Sequence, residues 1–198
     1  MKKTIIIFEK LLNSKNKIMH KSEIIENIKE YNKKLKQSLS AKDTLKYLSR
    51  LNYIKRIFSE YYYINSFDER NRKICFYEDK ELLFMVLNEL QIKWYVGLDS
   101  ALYLSGVTWQ LPNTLSIINT KFSGLKRVVG LKVKFYKAKD KLIFGLKELK
   151  TKNNITYSYS PPTKTYLDRV YLRLSKKLIR TKETKTYLGG YPKWIGLK

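Results

Sequence analysis

The chain has 198 residues, room for one large or two small domains, and 43% of them are hydrophobic, which excludes global disorder. Its formal net charge is +24, from 41 basic and 17 acidic residues, an excess that points to a polyanionic partner, nucleic acid before membrane. A single cysteine, Cys75, and a single histidine, His20, exclude a disulfide framework, a zinc ribbon and the common His/Cys metal sites.

The N-terminus, MKKTIIIFEKLL, starts like a signal peptide, but Glu9 and Lys10 interrupt its apolar run and no small-residue cleavage site follows. We read it instead as a first helix over 4–13, with Ile5, Phe8 and Leu12 on one stripe. The longest apolar runs, at 5–8 and 82–87, are far too short to span a bilayer. No membrane association is expected, and the expected location is cytoplasmic. A second helix is expected over 21–31, with Ile24, Ile25 and Ile28 inward. His20, just before it, reads as a surface or capping residue. Residues 32–39 form a polar, Lys-rich connection.

Residues 40–64, SAKDTLKYLSRLNYIKRIFSEYYYI, are the most informative stretch. Ser40 followed by Asp43 has the spacing of a capping box. Ala41, Leu45, Leu48 and Leu51 make one apolar helical face, which leaves Lys42, Lys46, Ser49 and Arg50 on the others. YIKRIF and YYYI are β-rich runs separated by Ser59-Glu60, so a hairpin follows directly. Tyr61 to Tyr63 then alternate between core and surface. Helix plus hairpin is the back half of a winged helix-turn-helix, whose helix enters the DNA major groove and whose wing lies along the backbone. The candidate DNA contacts are therefore Lys42, Lys46, Ser49 and Arg50 on the helix, with Lys55 and Arg56 in the wing.

Residues 66–73 are charged and lack an apolar period, so the expected boundary divides a winged helix-turn-helix domain, 1–72, from a second domain, 73–198. In the second part, helices are expected over 80–90, 99–105 and 163–174. Gly106 ends the middle one, and Ser160-Pro161-Pro162 breaks the chain before the last. Strands are expected over 94–96, 115–118 and 131–136, with weaker candidates over 142–146 and 155–159. The fold class is thus α+β, a winged helix-turn-helix followed by a mixed α/β domain. Residues 121–198 hold 21 basic and 4 acidic residues, a net of +17, so this half also meets a polyanion or an acidic protein. Lys126, Arg127, Lys132 and Lys134, clustered around a turn, and Lys176, Lys177 and Arg180 are its candidate phosphate contacts.

Asp140, Glu148 and Lys150 form a D-x7-E-x-K pattern, which certain nucleases use to hold Mg²⁺ and activate water. The pattern arises readily by chance in a Lys-rich chain, and residues 139–141 read as a hairpin tip. No catalytic residue, metal site or cofactor is assigned, and the chain is not read as an enzyme.

The second part carries WYVGLDSALYLSGVTWQLP, then LKVKFYKAKDKLIFGLKEL, then YSPPTKTYLD. The matching positions are Tyr95, Ser100, Ala101, Leu102, Gly106, Thr108, Gln110, Pro112, Phe144, Gly145, Ser160, Pro162, Lys164, Thr165, Leu167 and Asp168. This pattern resembles the AbiEi antitoxin family, transcriptional regulators of viral defence systems whose members also begin with a winged helix. The chain departs from it with Ser59-Glu60 at the wing turn, where glycine is common, and with Tyr166 in place of a small aliphatic residue. The resemblance implies the antitoxin of a type IV toxin–antitoxin pair. Such a protein represses the shared promoter through operator DNA, expected to carry inverted repeats. The resemblance implies a nucleotidyltransferase-like toxin as functional partner, with no direct contact between the two. The alternatives are a stand-alone regulator with no toxin, and a metal-dependent nuclease using Asp140, Glu148 and Lys150.

Overall fold

Two sheets organise this mixed α and β chain, and a computed structural model describes residues 2–14, 16–34 and 40–173. The first sheet belongs to α1 (Lys2–Leu12), β1 (Ile18–His20), α2 (Lys21–Lys34), α3 (Ala41–Arg50), β2 (Ile54–Phe58) and β3 (Tyr61–Ile64). After α4 (Phe67–Arg72) and α5 (Asp79–Glu89) come β4 (Trp94–Val96), α6 (Leu98–Leu104), β5 (Leu115–Asn119), β6 (Gly124–Val128) and β7 (Leu131–Lys137). A 3₁₀ turn (Asp140–Leu142), β8 (Lys147–Lys150) and β9 (Thr156–Tyr159) follow. A last helix, α7, begins at 162 and is described to 173.

The first sheet is antiparallel, in the order β1-β3-β2. One face meets the three N-terminal helices in a core built on Phe8, Ile24, Ile28, Leu48, Ile54 and Tyr62. Full burial of an aliphatic or aromatic side chain contributes ~1.5–3 kcal/mol, so this cluster fixes the rotation of each helix. The other face is not solvent. Ile18, Ile57, Phe58 and Tyr63 join α5 and the second sheet in one apolar cluster with Leu82, Leu83 and Phe135. A register shift between Arg56 and Phe58 turns Ile57 and Phe58 toward that same cluster. Tyr62 thus enters one core and Tyr63 the other, and the expected surface tyrosines are absent from β3 except for half-buried Tyr61.

The second sheet is mixed, in the order β6-β7-β5-β4-β9-β8. Ile117, Val133 and Phe135 face α5. Tyr95 and Ile118 face the opposite way, where Leu172 of α7 packs. Asp79–Glu89 and 162–173 therefore cover the two faces, while β6 and β8 are the edges.

Several expectations need correcting. The segment in which the domain boundary is expected forms an ordered helix, α4, held by a reciprocal capping box between Ser66 and Glu69. Glu69 is 1% exposed and accepts from the Tyr63 hydroxyl (2.9 Å) and from the N–H groups of Ser66 and Phe76 (both 2.8 Å). Burial alone would raise its carboxyl, but these donors hold it below the ordinary glutamate value. The apolar cluster beyond β2 and β3 also crosses position 72, so both sides of the expected boundary share a core. Helix α2 runs to Lys34, into the expected connection, whose residues 35–39 lie outside those described. Residues 142–146 form no strand. Leu142, Ile143 and Leu146 pack as loop residues beneath α7, and the strand comes later, at Lys147–Lys150. The basic stretch before β7 is a strand, β6.

Candidate nucleic-acid interface

Ser40 sets the start of α3. Its backbone is extended (φ −61°, ψ 121°) and its Oγ accepts the Asp43 N–H at 3.4 Å. The expected capping box is only half made, because the Asp43 carboxylate lies 3.9 Å from the Lys46 Nζ instead of turning back. Thr44, Leu45 and Leu48 point inward and lock the helix in rotation. That rotation leaves Lys42, Lys46, Ser49 and Arg50 exposed together on the outer side. The Arg50 guanidinium lies 5.3 Å from the Tyr47 ring, which steadies it without neutralising it. A row of cationic side chains on a rigid, outward helix can meet phosphates and base edges.

The hairpin is placed differently. Arg56 is exposed, on the same side of the sheet as the N-terminal helices. Lys55 points to the other side, where its Nζ pairs with Asp79 at the start of α5, 3.3 Å away. The expected phosphate contact at Lys55 is thus engaged within the protein. At the tip, Ser59 and Glu60 both have positive φ (46° and 67°), as a mirror-image hairpin turn requires, although neither is glycine. The strain is held by Lys21, whose N–H donates to the Glu60 carbonyl (2.9 Å) and whose Nζ meets the Glu60 carboxylate (2.7 Å). That hydrogen bond and the charge raise the Lys21 ammonium and lower the Glu60 carboxyl. Lys21 was not among the candidate residues, because its partner lies 39 positions away. Nearby, His20 caps α2: its Nδ1 accepts the Ser22 N–H at 3.3 Å.

The four basic residues around the β6–β7 turn do not form one cluster. In the antiparallel register Lys126 sits opposite Val133, and Arg127 opposite Lys132. Directly paired residues share a face, so Lys126 lies on the side of Val133 and Phe135. Its Nζ stands 5.4 Å from the Phe58 ring and 5.5 Å from the Phe122 ring. Arg127, Lys132 and Lys134 occupy the opposite face. Charges on an open edge strand also block edge-to-edge pairing between chains, a structural role that needs no ligand. Lys176, Lys177 and Arg180 lie outside the described residues.

Four of the motif residues of the second part, Tyr95, Phe144, Lys164 and Asp168, meet in one cluster. The Tyr95 hydroxyl donates to Asp168 Oδ2 (3.0 Å), Lys164 pairs with Asp168 Oδ1, and Lys164 Nζ donates to the Tyr95 oxygen at 3.3 Å. The Phe144 ring lies 4.7 Å from the same ammonium. Burial, with the Asp168 charge, pushes the Tyr95 phenol far above its ordinary value and keeps it a donor. The Ser160 and Thr165 hydroxyls are 2.7 Å apart, and Ser100 accepts the Ser116 N–H at 3.0 Å. This arrangement ties α7 and α6 to the sheet. The spacing of Lys164 and Asp168 was legible as one helical turn, but their contact with Tyr95, some 70 positions away, was not.

Asp140 is held by Lys93 at 2.8 Å, and Glu148 and Lys150 sit on β8 opposite Ser158 and Thr156. Among the described residues, no group of three or more His, Cys, Asp or Glu side chains is placed to share a metal ion. Among the same residues, no helix is long and apolar enough to cross a membrane. No protein-family model matches the chain, and no curated protein matches its sequence.

Proposed function

We propose that the protein is a sequence-specific double-stranded DNA-binding regulator that reads its operator with α3. The observation that carries this reading is the exposed face of Lys42, Lys46, Ser49 and Arg50 on a helix whose opposite side is locked in a core. The element order α1-β1-α2-α3-β2-β3 and the strand order β1-β3-β2 support treating residues 1–72 as a winged helix-turn-helix. Arg56 then approaches the backbone beside α3, and the net charge of +24 supplies long-range attraction. The motif resemblance extends the proposal to an antitoxin of the AbiEi type. It would act in the cytoplasm, repress a type IV toxin–antitoxin operon, and have a nucleotidyltransferase-like toxin as functional partner without direct contact. In support, Tyr95, Lys164 and Asp168, three of the matching positions, meet in one buried cluster, and Ser160 and Thr165 bond to each other at the start of α7.

The test is operator binding by the full chain carrying Lys46→Ala and Arg50→Ala. A lost base-edge contact is expected to cost about 1–3 kcal/mol and relax specificity, whereas a lost phosphate contact weakens all sequences alike. A doubly substituted protein that shifts its own promoter fragment as wild type does would remove α3 as the reader. A nucleotidyltransferase-like reading frame beside the gene distinguishes the antitoxin from a stand-alone regulator.

A further inference from the structure

The loop between α6 and β5 carries Trp109, which is 92% exposed, more than any other large apolar side chain among the described residues. Leu111 (67%), Val107 (59%) and Tyr103 (38%) accompany it within a few positions, an apolar surface of the kind that marks an interaction site. Leu111 also lines a cavity of about 280 Å³, walled by Phe84 from α5, Tyr103 and Leu104 from α6 and Tyr157 from β9. Trp109 is not among the residues around this cavity, so the chain's own indole leaves it open. The same stretch lacks cations. Residues 94–120 contain no lysine or arginine, in a chain with 41 basic residues. Of the two lysines at the cavity, Lys80 is paired with Glu78 at 2.8 Å, and Lys132 lies opposite Arg127 on the other face of the sheet.

We propose that this face pairs two copies of the chain about a two-fold axis, with Trp109 of each entering the cavity of the other. A knob and a hole on one surface are what a self-complementary contact requires. A buried aromatic covers ~150–250 Å², so the exposed parts of Trp109, Leu111, Val107 and Tyr103 from two chains together reach roughly 1,000 Å², where specific interfaces begin. Charge selects the partner. The net charge of +24 opposes the approach of a second copy, and opposes it least at a face without cations. An acidic protein, a nucleic acid or an anionic membrane finds no unpaired cation there to hold it. The pairing does not depend on DNA binding.

The full-length protein, freed of nucleic acid, is followed by sedimentation velocity over a range of concentrations. A reversible monomer–dimer equilibrium is expected, and added salt is expected to strengthen it by screening the like charge of the two chains. Trp109→Glu is expected to weaken pairing at least about a hundredfold, because each dimer loses two buried aromatic anchors, and to leave circular dichroism unchanged. Leu104→Trp, which fills the cavity from within, is expected to weaken pairing while its own Trp109 stays exposed. If Leu104→Trp unfolds, Leu111→Glu replaces it from the exposed loop, with the same expectation. Tyr166→Glu, at a 69% exposed aromatic on α7 outside the cavity, is expected to leave pairing as it is. A monomer at every concentration, an association that salt dissolves, equal losses in Trp109→Glu and Tyr166→Glu, or full pairing by the folded cavity variant would overturn the proposal.

Discussion

Helix α3 and the β2–β3 hairpin leave the same three-stranded unit but meet opposite surroundings. Helix α3 buries Thr44, Leu45 and Leu48 and turns its cations outward. The hairpin buries side chains on both faces, with Tyr62 against the N-terminal helices and Tyr63 and Phe58 against α5 and the second sheet. Its one inward lysine is paired, and its tip is bound to Lys21. The difference separates two jobs that the sequence pattern joins. The helix leaves its cations exposed, as the proposed reading of DNA requires, and the hairpin is the joint that connects the two halves of the molecule. Phe58 makes the joint concrete, lying 5.2 Å from Phe135 and 5.1 Å from Phe122, ring centroid to ring centroid.

The largest effect is expected from cutting the chain at that joint. A fragment ending at residue 72 keeps α3 whole but uncovers Ile18, Ile57, Phe58 and Tyr63 and removes the Phe76 N–H from Glu69. It is expected to lose cooperative unfolding, or to associate through the exposed sheet face, whereas the full chain unfolds in a single transition. A monomeric fragment with a sharp melting transition of its own would show that the hairpin needs no cover. In the intact protein, Phe58→Ala is expected to cost about 3–5 kcal/mol in chemical denaturation, because it empties the contact between the halves.

Glu69 gives the next largest effect and a dependence on pH. Glu69→Ala leaves the Tyr63 hydroxyl and two N–H groups without their acceptor, for a loss of roughly 3 kcal/mol. Its carboxyl is lower in the folded chain than its ordinary 4.5, so the ionised form contributes its full stabilisation above that value. As pH falls below 4.5 the unfolded chain takes up the proton first, and stability declines until the folded group is protonated too. Glu69→Gln is expected to flatten that decline. An unchanged acid limb in denaturation curves of Glu69→Gln would assign the acid sensitivity to other carboxylates.

The contrast between helix and hairpin also explains what the sequence reveals. Helix α3 is legible because one side is apolar and the other wet, and that asymmetry writes a 3.6-residue period. The hairpin is legible from β-branched and aromatic residues, but a strand buried on both faces does not say what covers the second face. Strand β1 is three residues long, too short for any period, and β6 has four exposed residues in five, so it shows no alternation. Helix α4 carries a readable signal in Ser66 and Glu69, hidden in a segment whose charge suggests a domain boundary. At the interface, residue type identifies the cations, but only strand register separates Lys126 from Arg127 and Lys132.

The smallest effect separates two lysines that look alike in the sequence. Lys46 and Lys55 each stand near an aspartate. Lys46 and Asp43 are 3.9 Å apart with side chains 81% and 75% exposed, whereas Lys55 and Asp79 are 3.3 Å apart at 36% and 39%. Exposed pairs contribute close to nothing and partly covered ones up to ~1 kcal/mol. Lys55→Ala is therefore expected to lower stability by about 0.5–1 kcal/mol, and a double-mutant cycle with Asp79→Asn is expected to recover most of that loss as coupling. Added salt should shrink the coupling only in part, since the pair is half covered. Lys46→Ala is expected to leave stability unchanged. If the proposed DNA binding holds, the order is expected to reverse there: Lys46→Ala is expected to weaken the complex, and Lys55→Ala to leave its affinity and salt dependence as they were. If Lys55→Ala instead weakens DNA binding as much as Lys46→Ala and leaves stability intact, the Asp79 pair opens on DNA. The hairpin would then act as a wing in the full sense, and the division between reading helix and structural joint would fall.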